Sequence, residues 1–176
     1  MSRMARFVLG VGCVAMSMLS PTRDAGAGST DDKSYPAFMC LESGSETGDF
    51  NRSEYRITRT GSAGSGVLLC PLVRDAFSSP SVYSDYDADM TVEVTLQDNH
   101  FREDITCTVI NKLLSDGSAF SYKSATTEGA STTAKKLTMK GGFALQGYSF
   151  LKCQVPTNGT DGWTRIFAYK ALEGAL

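Results

Sequence analysis

The chain of 176 residues is poor in the residues that do chemistry. It has one histidine, one tryptophan and five cysteines. No two cysteines have the C-x-x-C spacing of a zinc knuckle, and His100 alone could add a nitrogen ligand, so a zinc centre is excluded on spacing. No G-x-S-x-G elbow accompanies His100, which lies in the polar stretch Asp98-Asn-His-Phe101, so nothing points to a Ser-His-Asp nucleophile. A solvent-facing turn residue is the simpler reading of His100. There is no phosphate-cradling glycine loop, no internal repeat, and no capped run with 3.6-residue periodicity of ordinary helix length. No cofactor is expected.

Long apolar runs are also scarce, and the main one is at the start. Arg3 and Arg6 precede Phe7–Leu19, and Ala25-Gly-Ala27 follows. A positive end, an apolar stretch and an A-x-A site form the layout of a secretory signal, expected here over 1–27. Thirteen apolar residues are too few for a membrane-spanning helix. A lipid anchor at Cys13 would require a Leu where Gly10 stands, and an apolar run that stops before the cysteine. The mature chain has no second run that could span a membrane. Removing Arg3, Arg6, Arg23 and Asp24 leaves 14 basic and 18 acidic residues, a formal charge of −4. That balance argues against a nucleic-acid partner. The expected location is outside the cytosol, periplasmic or extracellular.

What remains after the signal is a set of four cysteines, Cys40, Cys70, Cys107 and Cys153. An even number in an exported chain reads as two disulfides. Three pairings are possible, and neighbouring partners, Cys40–Cys70 with Cys107–Cys153, are preferred. Cys107 alternates with Ile105 and Val109, and Cys153 with Leu151 and Val155. Both therefore face inward, where they could meet across a core. Loops of this size make each bridge worth about 3–4 kcal/mol in the chain-entropy model.

The rest alternates with period two between turn signals. Residues 28–34 read as a flexible leader and 35–173 as one domain. Strands are expected at Tyr35–Leu41, with Pro36 suited to an edge, at Tyr55–Thr60, and at Met90–Gln97 with Val92, Val94 and Leu96 on one face. Ile105–Val109 is expected to pair with the preceding strand as a hairpin. Further strands follow at Ala119–Ala125, Lys135–Lys140, Tyr148–Val155 and Trp163–Leu172. Val67-Leu-Leu-Cys-Pro-Leu-Val73 is continuously apolar and reads as a strand buried on both sides. About eight or nine strands with regular turns predict an all-β fold, an antiparallel β-sandwich, with a closed barrel as the alternative.

Several of these pieces carry a resemblance: Tyr35-Pro-Ala-Phe-Met-Cys40, Cys70-Pro-Leu-Val-Arg-Asp75, the alternating strand leading to Cys107, Tyr148-x-x-Leu-x-Cys-x-x-Pro156 and Tyr169-x-x-x-Glu173. In these the chain resembles small uncharacterised exported disulfide-containing proteins of proteobacteria. The resemblance implies export and a β fold. It implies no activity and no catalytic residue.

Two clusters are candidate sites. Asp85, Asp87 and Asp89 alternate as hard oxygen ligands do for calcium. Met90 and Leu96 stand where an EF-hand needs Gly and Glu, so only a looser site is open to them. The alternative is a polar approach to the strand at Met90. If a hairpin brought Glu103 close, an acidic hydrolase site would be conceivable. Tyr83, Tyr86 and Trp163 lie in or beside expected loops, where aromatic faces stack on sugars or anchor a protein. The competing reading packs them into the core, with Trp163 starting the last strand and turning inward. The expected function is a non-enzymatic exported binding domain for a glycan, an envelope component or a protein, with the acidic hydrolase as second choice.

Overall fold

A computed structural model describes residues 31–44, 49–61, 64–73, 88–113, 117–143, 147–157 and 162–173. These residues form eleven strands and one short 3₁₀ turn. The strands are β1 (Asp31–Pro36), β2 (Leu41–Ser43), β3 (Phe50–Ser53), β4 (Arg56–Arg59), β5 (Gly66–Leu72), β6 (Ala88–Gln97), β7 (Thr106–Leu113), β8 (Ala119–Thr126), β9 (Lys135–Phe143), β10 (Gly147–Val155) and β11 (Arg165–Glu173). Ala37–Met39 is the 3₁₀ turn.

The strands make two antiparallel sheets, ordered β3-β4-β11-β6-β9 and β2-β5-β10-β7-β8. In the first sheet β1 also pairs with β11, beyond the two residues that β4 covers. The expected all-β sandwich is what the chain forms, and it is not a closed barrel. The strand count exceeds the expected eight or nine because short pieces such as β2 and β3 carry too few alternating residues to register as strands. The first strand also begins at Asp31, inside the stretch 28–34 expected to be a flexible leader; its backbone is tied to β11 from Asp31↔Glu173 onward.

The core is the inward face of each sheet. Val92, Val94 and Leu96 of β6, Leu68 and Cys70 of β5, Leu151, Cys153 and Val155 of β10, and Ile166, Tyr169 and Ala171 of β11 are all buried. Tyr35 lies opposite Tyr169 and stacks on it, ring centroids 5.0 Å apart. The Tyr169 hydroxyl donates to Pro71 O at 2.9 Å and the Tyr35 hydroxyl to Val73 O at 3.3 Å. Residues from three of the motif pieces thus meet in one lock, which ties β1 and β11 to the end of β5.

Cys40 bonds to Cys70 and Cys107 to Cys153. Neither bridge crosses between the sheets, as facing inward had suggested. Cys107 and Cys153 are direct partners on adjacent strands. Cys40 precedes Leu41, which pairs with Leu69, and so lies beside Cys70. Opposed residues on neighbouring strands come closer than residues on facing sheets, about 5 Å against about 10 Å, so an inward cysteine reaches its neighbour first.

The expected hairpin of β6 and β7 does not form. β6 belongs to one sheet and β7 to the other, and the connection is an inter-sheet corner. Alternation fixes which side of a strand is apolar but not which strand lies beside it. Buried Asp98 holds the corner: its carboxylate accepts from the backbone N–H of His100 at 3.0 Å and of Ile105 at 3.1 Å, and from the Thr127 hydroxyl.

Candidate functional site

The registers bring five connections to one end of the sandwich. β6 ends at Gln97 opposite the start of β11, and β9 starts opposite Leu96. β10 ends beside the starts of β7 and β5. The ends of β2, β4, β6, β8 and β10 and the starts of β3, β5, β7, β9 and β11 therefore lie at this end.

A buried cation organises it. Arg59 follows Ile57 on the inward side of β4 and is fully buried. Its guanidinium pairs with Asp49 at 2.6 Å, donates to Gly64 O at 3.2 Å and lies 5.1 Å from the Phe50 ring centroid. The Asp49 carbonyl accepts from Thr60 N at 2.7 Å, Gly61 N at 3.0 Å, the Thr60 hydroxyl at 3.0 Å and Arg59 Nη1 at 3.2 Å. A Cβ at Gly61 would meet Arg59 and Asp49 within 2.6 Å, and one at Gly66 would meet Phe50 at 2.6 Å. Glycine is what lets both segments close over the guanidinium. Sequence reasoning passed over Arg59, although the signal was there: period-two alternation puts it on the same face as Ile57.

Two depressions open over this base. The larger is about 530 Å³ and is lined by Ser65, Glu103, Asp104, Thr106, Gln154 and Thr157 with Gly64 and Pro156. The smaller, about 270 Å³, is lined by Glu42, Ser43, Asp49, Phe50 and Val67 with neighbouring glycines, and it shares Gly64 and Ser65 with the larger. Asp104 accepts from Gly129 N at 2.8 Å, and Gln154 Nε2 donates to Ser65 Oγ at 2.7 Å. His100 belongs to the scaffold of the corner: its Nδ1 accepts from Glu103 N at 2.9 Å and Arg102 N at 3.3 Å.

Aromatic side chains stand at the same end. Trp163 is 50% exposed and Phe101 is 59% exposed. Trp163 does not turn inward as expected; Thr164 is the residue buried at the start of the last strand. The reason is a β-bulge: the pairing of β11 with β6 skips Phe167, so Thr164 and Ile166 are inward before it and Tyr169 and Ala171 after it. Gly162, just before Trp163, is pressed against the corner, since a Cβ there would meet Asn99 Nδ2 at 2.7 Å.

Tyr83, Tyr86, Asp85 and Asp87 lie outside the described residues. Asp89 has its backbone described: it is near the start of β6, paired with Gly142. Glu103 follows the other end of that strand. Eight residues from Asp89 to Gln97 at about 3.3 Å each separate the two ends by about 26 Å, so Asp89 and Glu103 do not share a site. Among the described residues, no three His, Cys, Asp or Glu side chains are grouped as metal ligands would be. Among the same residues, no helix is long and apolar enough to cross a membrane.

The outward faces of the two sheets differ in kind. The β6 side is polar, with Glu93 paired to Lys136 at 3.2 Å and Lys170 paired to Asp32. The β10 side carries Leu41, Leu69, Pro71, Ile110, Tyr148 and Phe150, in whole or part exposed. The apolar run of β5 is therefore not buried on both sides as expected: Leu68, Cys70 and Leu72 face the core, and Val67, Leu69 and Pro71 face out.

The molecule is thus a two-sheet antiparallel β-sandwich with a polar, aromatic-flanked loop end. No protein-family model and no curated protein matches the chain. Among solved structures it is similar to the CBM36-1 domain of a multidomain xylanase from the hindgut metagenome of Trinervitermes trinervoides, at 14% identity and a TM-score of 0.44, over 83% of this chain and 99% of that one. It is similar to a family 35 carbohydrate binding module from Clostridium thermocellum at 12% identity and a TM-score of 0.42, covering 80% and 97%. A family 11 carbohydrate-binding module from the same organism, in complex with a beta-1,3-1,4-mixed-linked tetrasaccharide, gives 10% and 0.38, covering 90% and 95%.

Proposed function

We propose that this protein is an exported, non-enzymatic glycan-binding domain that takes its ligand at the loop end carrying Trp163. One observation carries the reading. A half-exposed tryptophan stands at the same end as a depression lined by two carboxylates, an amide and hydroxyls. A sugar is amphipathic in the matching way. Its C–H face packs on an aromatic ring, and its hydroxyls donate to carboxylates, which accept charge-assisted hydrogen bonds. A volume of about 530 Å³ also falls in the usual range for small-molecule sites, about 300–1,000 Å³. Trp163 would supply the stacking surface, and Glu103, Asp104 and Gln154 the polar contacts. Two disulfides suit an oxidising compartment.

The test is retardation of the oxidised mature protein in native gels cast with soluble neutral polysaccharides. Retardation by at least one polysaccharide is expected. Trp163→Ala should weaken it by about ten-fold or more, the scale of a hot-spot aromatic. Tyr55→Ala is the control, because Tyr55 is exposed in the β3–β4 turn at the opposite end; it should change nothing. Equal retardation of the wild type and Trp163→Ala would refute the site.

A further inference from the structure

From the join between the two depressions we infer that the ligand is an uncharged oligosaccharide, bound as an extended chain across both. The inference rests on the glycan reading above and adds its length and charge class. The two depressions share Gly64 and Ser65, so the saddle that divides them is two residues long, one of them a glycine with open space where a side chain would stand. The saddle is fixed from two sides. Arg59 holds the Gly64 carbonyl from the buried side, and Gln154 donates to the Ser65 hydroxyl from β10. Such a ridge is set before binding and needs no ordering when a chain is laid over it, which saves conformational entropy.

The charge of the lining selects against anions. Neither depression is lined by a lysine or arginine among the described residues. The acids of the smaller one are already matched, Asp49 by buried Arg59 and Glu42 by Arg52 at 3.7 Å. Glu103 and Asp104 leave the larger one negative. A uronate or sulfated chain would bring its charges against these carboxylates, a repulsion that discriminates between ligands more than it adds affinity. Neutral hydroxyls meet the same groups as donors.

Calorimetric titration of the oxidised mature protein tests this, with neutral β-linked glucose, xylose and mannose oligomers of two to six units and galacturonate oligomers of the same lengths. Affinity should rise about ten-fold or more from two units to five or six in the preferred neutral series. Galacturonate oligomers should bind at least about ten-fold more weakly, and Glu103→Gln should narrow that gap. Ser65→Trp, which places a bulky ring on the saddle, should weaken six-unit chains more than two-unit ones and so remove the rise of affinity with length. Binding that does not depend on length, or an equal loss for short and long chains in Ser65→Trp, would overturn the extended chain. Preference for galacturonate would overturn the charge class. Either result would leave glycan binding itself standing. Failure of every neutral and acidic oligomer to bind would overturn both this inference and the function it rests on.

Discussion

Two side chains set the residue-scale energetics, and the sequence places both on inward faces without showing their partners. Arg59 is a buried cation whose partner Asp49 lies ten residues away across a hairpin. Removing one partner of a buried pair strands the other and its hydrogen bonds. Arg59→Met should therefore cost about 3 kcal/mol in denaturant unfolding, and it should loosen the saddle over the guanidinium. An unchanged midpoint would contradict the role given to the pair. Tyr169 is the second. Burial, then the neighbouring Tyr35, pushes its hydroxyl well above the ordinary 10. The folded state therefore prefers the neutral phenol, so this contribution is intact below pH 10 and is lost as pH rises above it. Stability should fall by up to about 1.4 kcal/mol per pH unit from this group, and Tyr169→Phe should abolish that slope. The same variant should cost about 1 kcal/mol at neutral pH through the lost bond to Pro71 O. Urea titrations of both proteins at pH 7 and above pH 10 measure the two effects. Trp163 shows the limit of alternation at this scale: the extra residue at the bulge in β11 puts Trp163 on the opposite face from Tyr169 and Ala171, with which strict alternation would group it.

At the scale of the element, period-two patterning identified most long strands and both inward cysteines, because each strand has one face in the core. It did not identify partners. Turn chemistry at the β6–β7 connection suits a hairpin or a corner alike; the strand order puts the two strands in different sheets, and the bond between Asp98 and Thr127, 29 residues apart, holds the corner. The apolar run of β5 looked buried on both sides because its outward residues belong to an apolar face that remains uncovered. The disulfides are legible as bonds within one sheet once the registers are known. The closed loops span 30 and 46 residues, which the chain-entropy model makes worth about 4 kcal/mol each. Replacing Cys107 and Cys153 together by alanine should lower unfolding stability by about that amount, with the Cys40–Cys70 bridge retained. A loss below about 1 kcal/mol would show that the sheet holds its register without the bond.

For the whole molecule, topology decides what can be one site. Asp89 lies at the start of β6 at one end of the sandwich, while Glu103 follows the other end of that strand, the end where Trp163 precedes β11. Residue types alone could not separate these groups, since distance along a β-strand is invisible until the strand is placed. The loop end gathers residues from five connections, and no local motif records such a gathering. Only Trp163 of the named aromatic candidates falls within the described residues there. Its singularity is useful, because the chain has one tryptophan, and its emission reports this site without interference from another indole. The most direct measurement is the fluorescence of Trp163 during titration with neutral oligosaccharides. A saturable blue shift with protection from acrylamide quenching is predicted. An unchanged spectrum and unchanged quenching at a ligand concentration where calorimetry shows binding would place the glycan elsewhere and contradict the account.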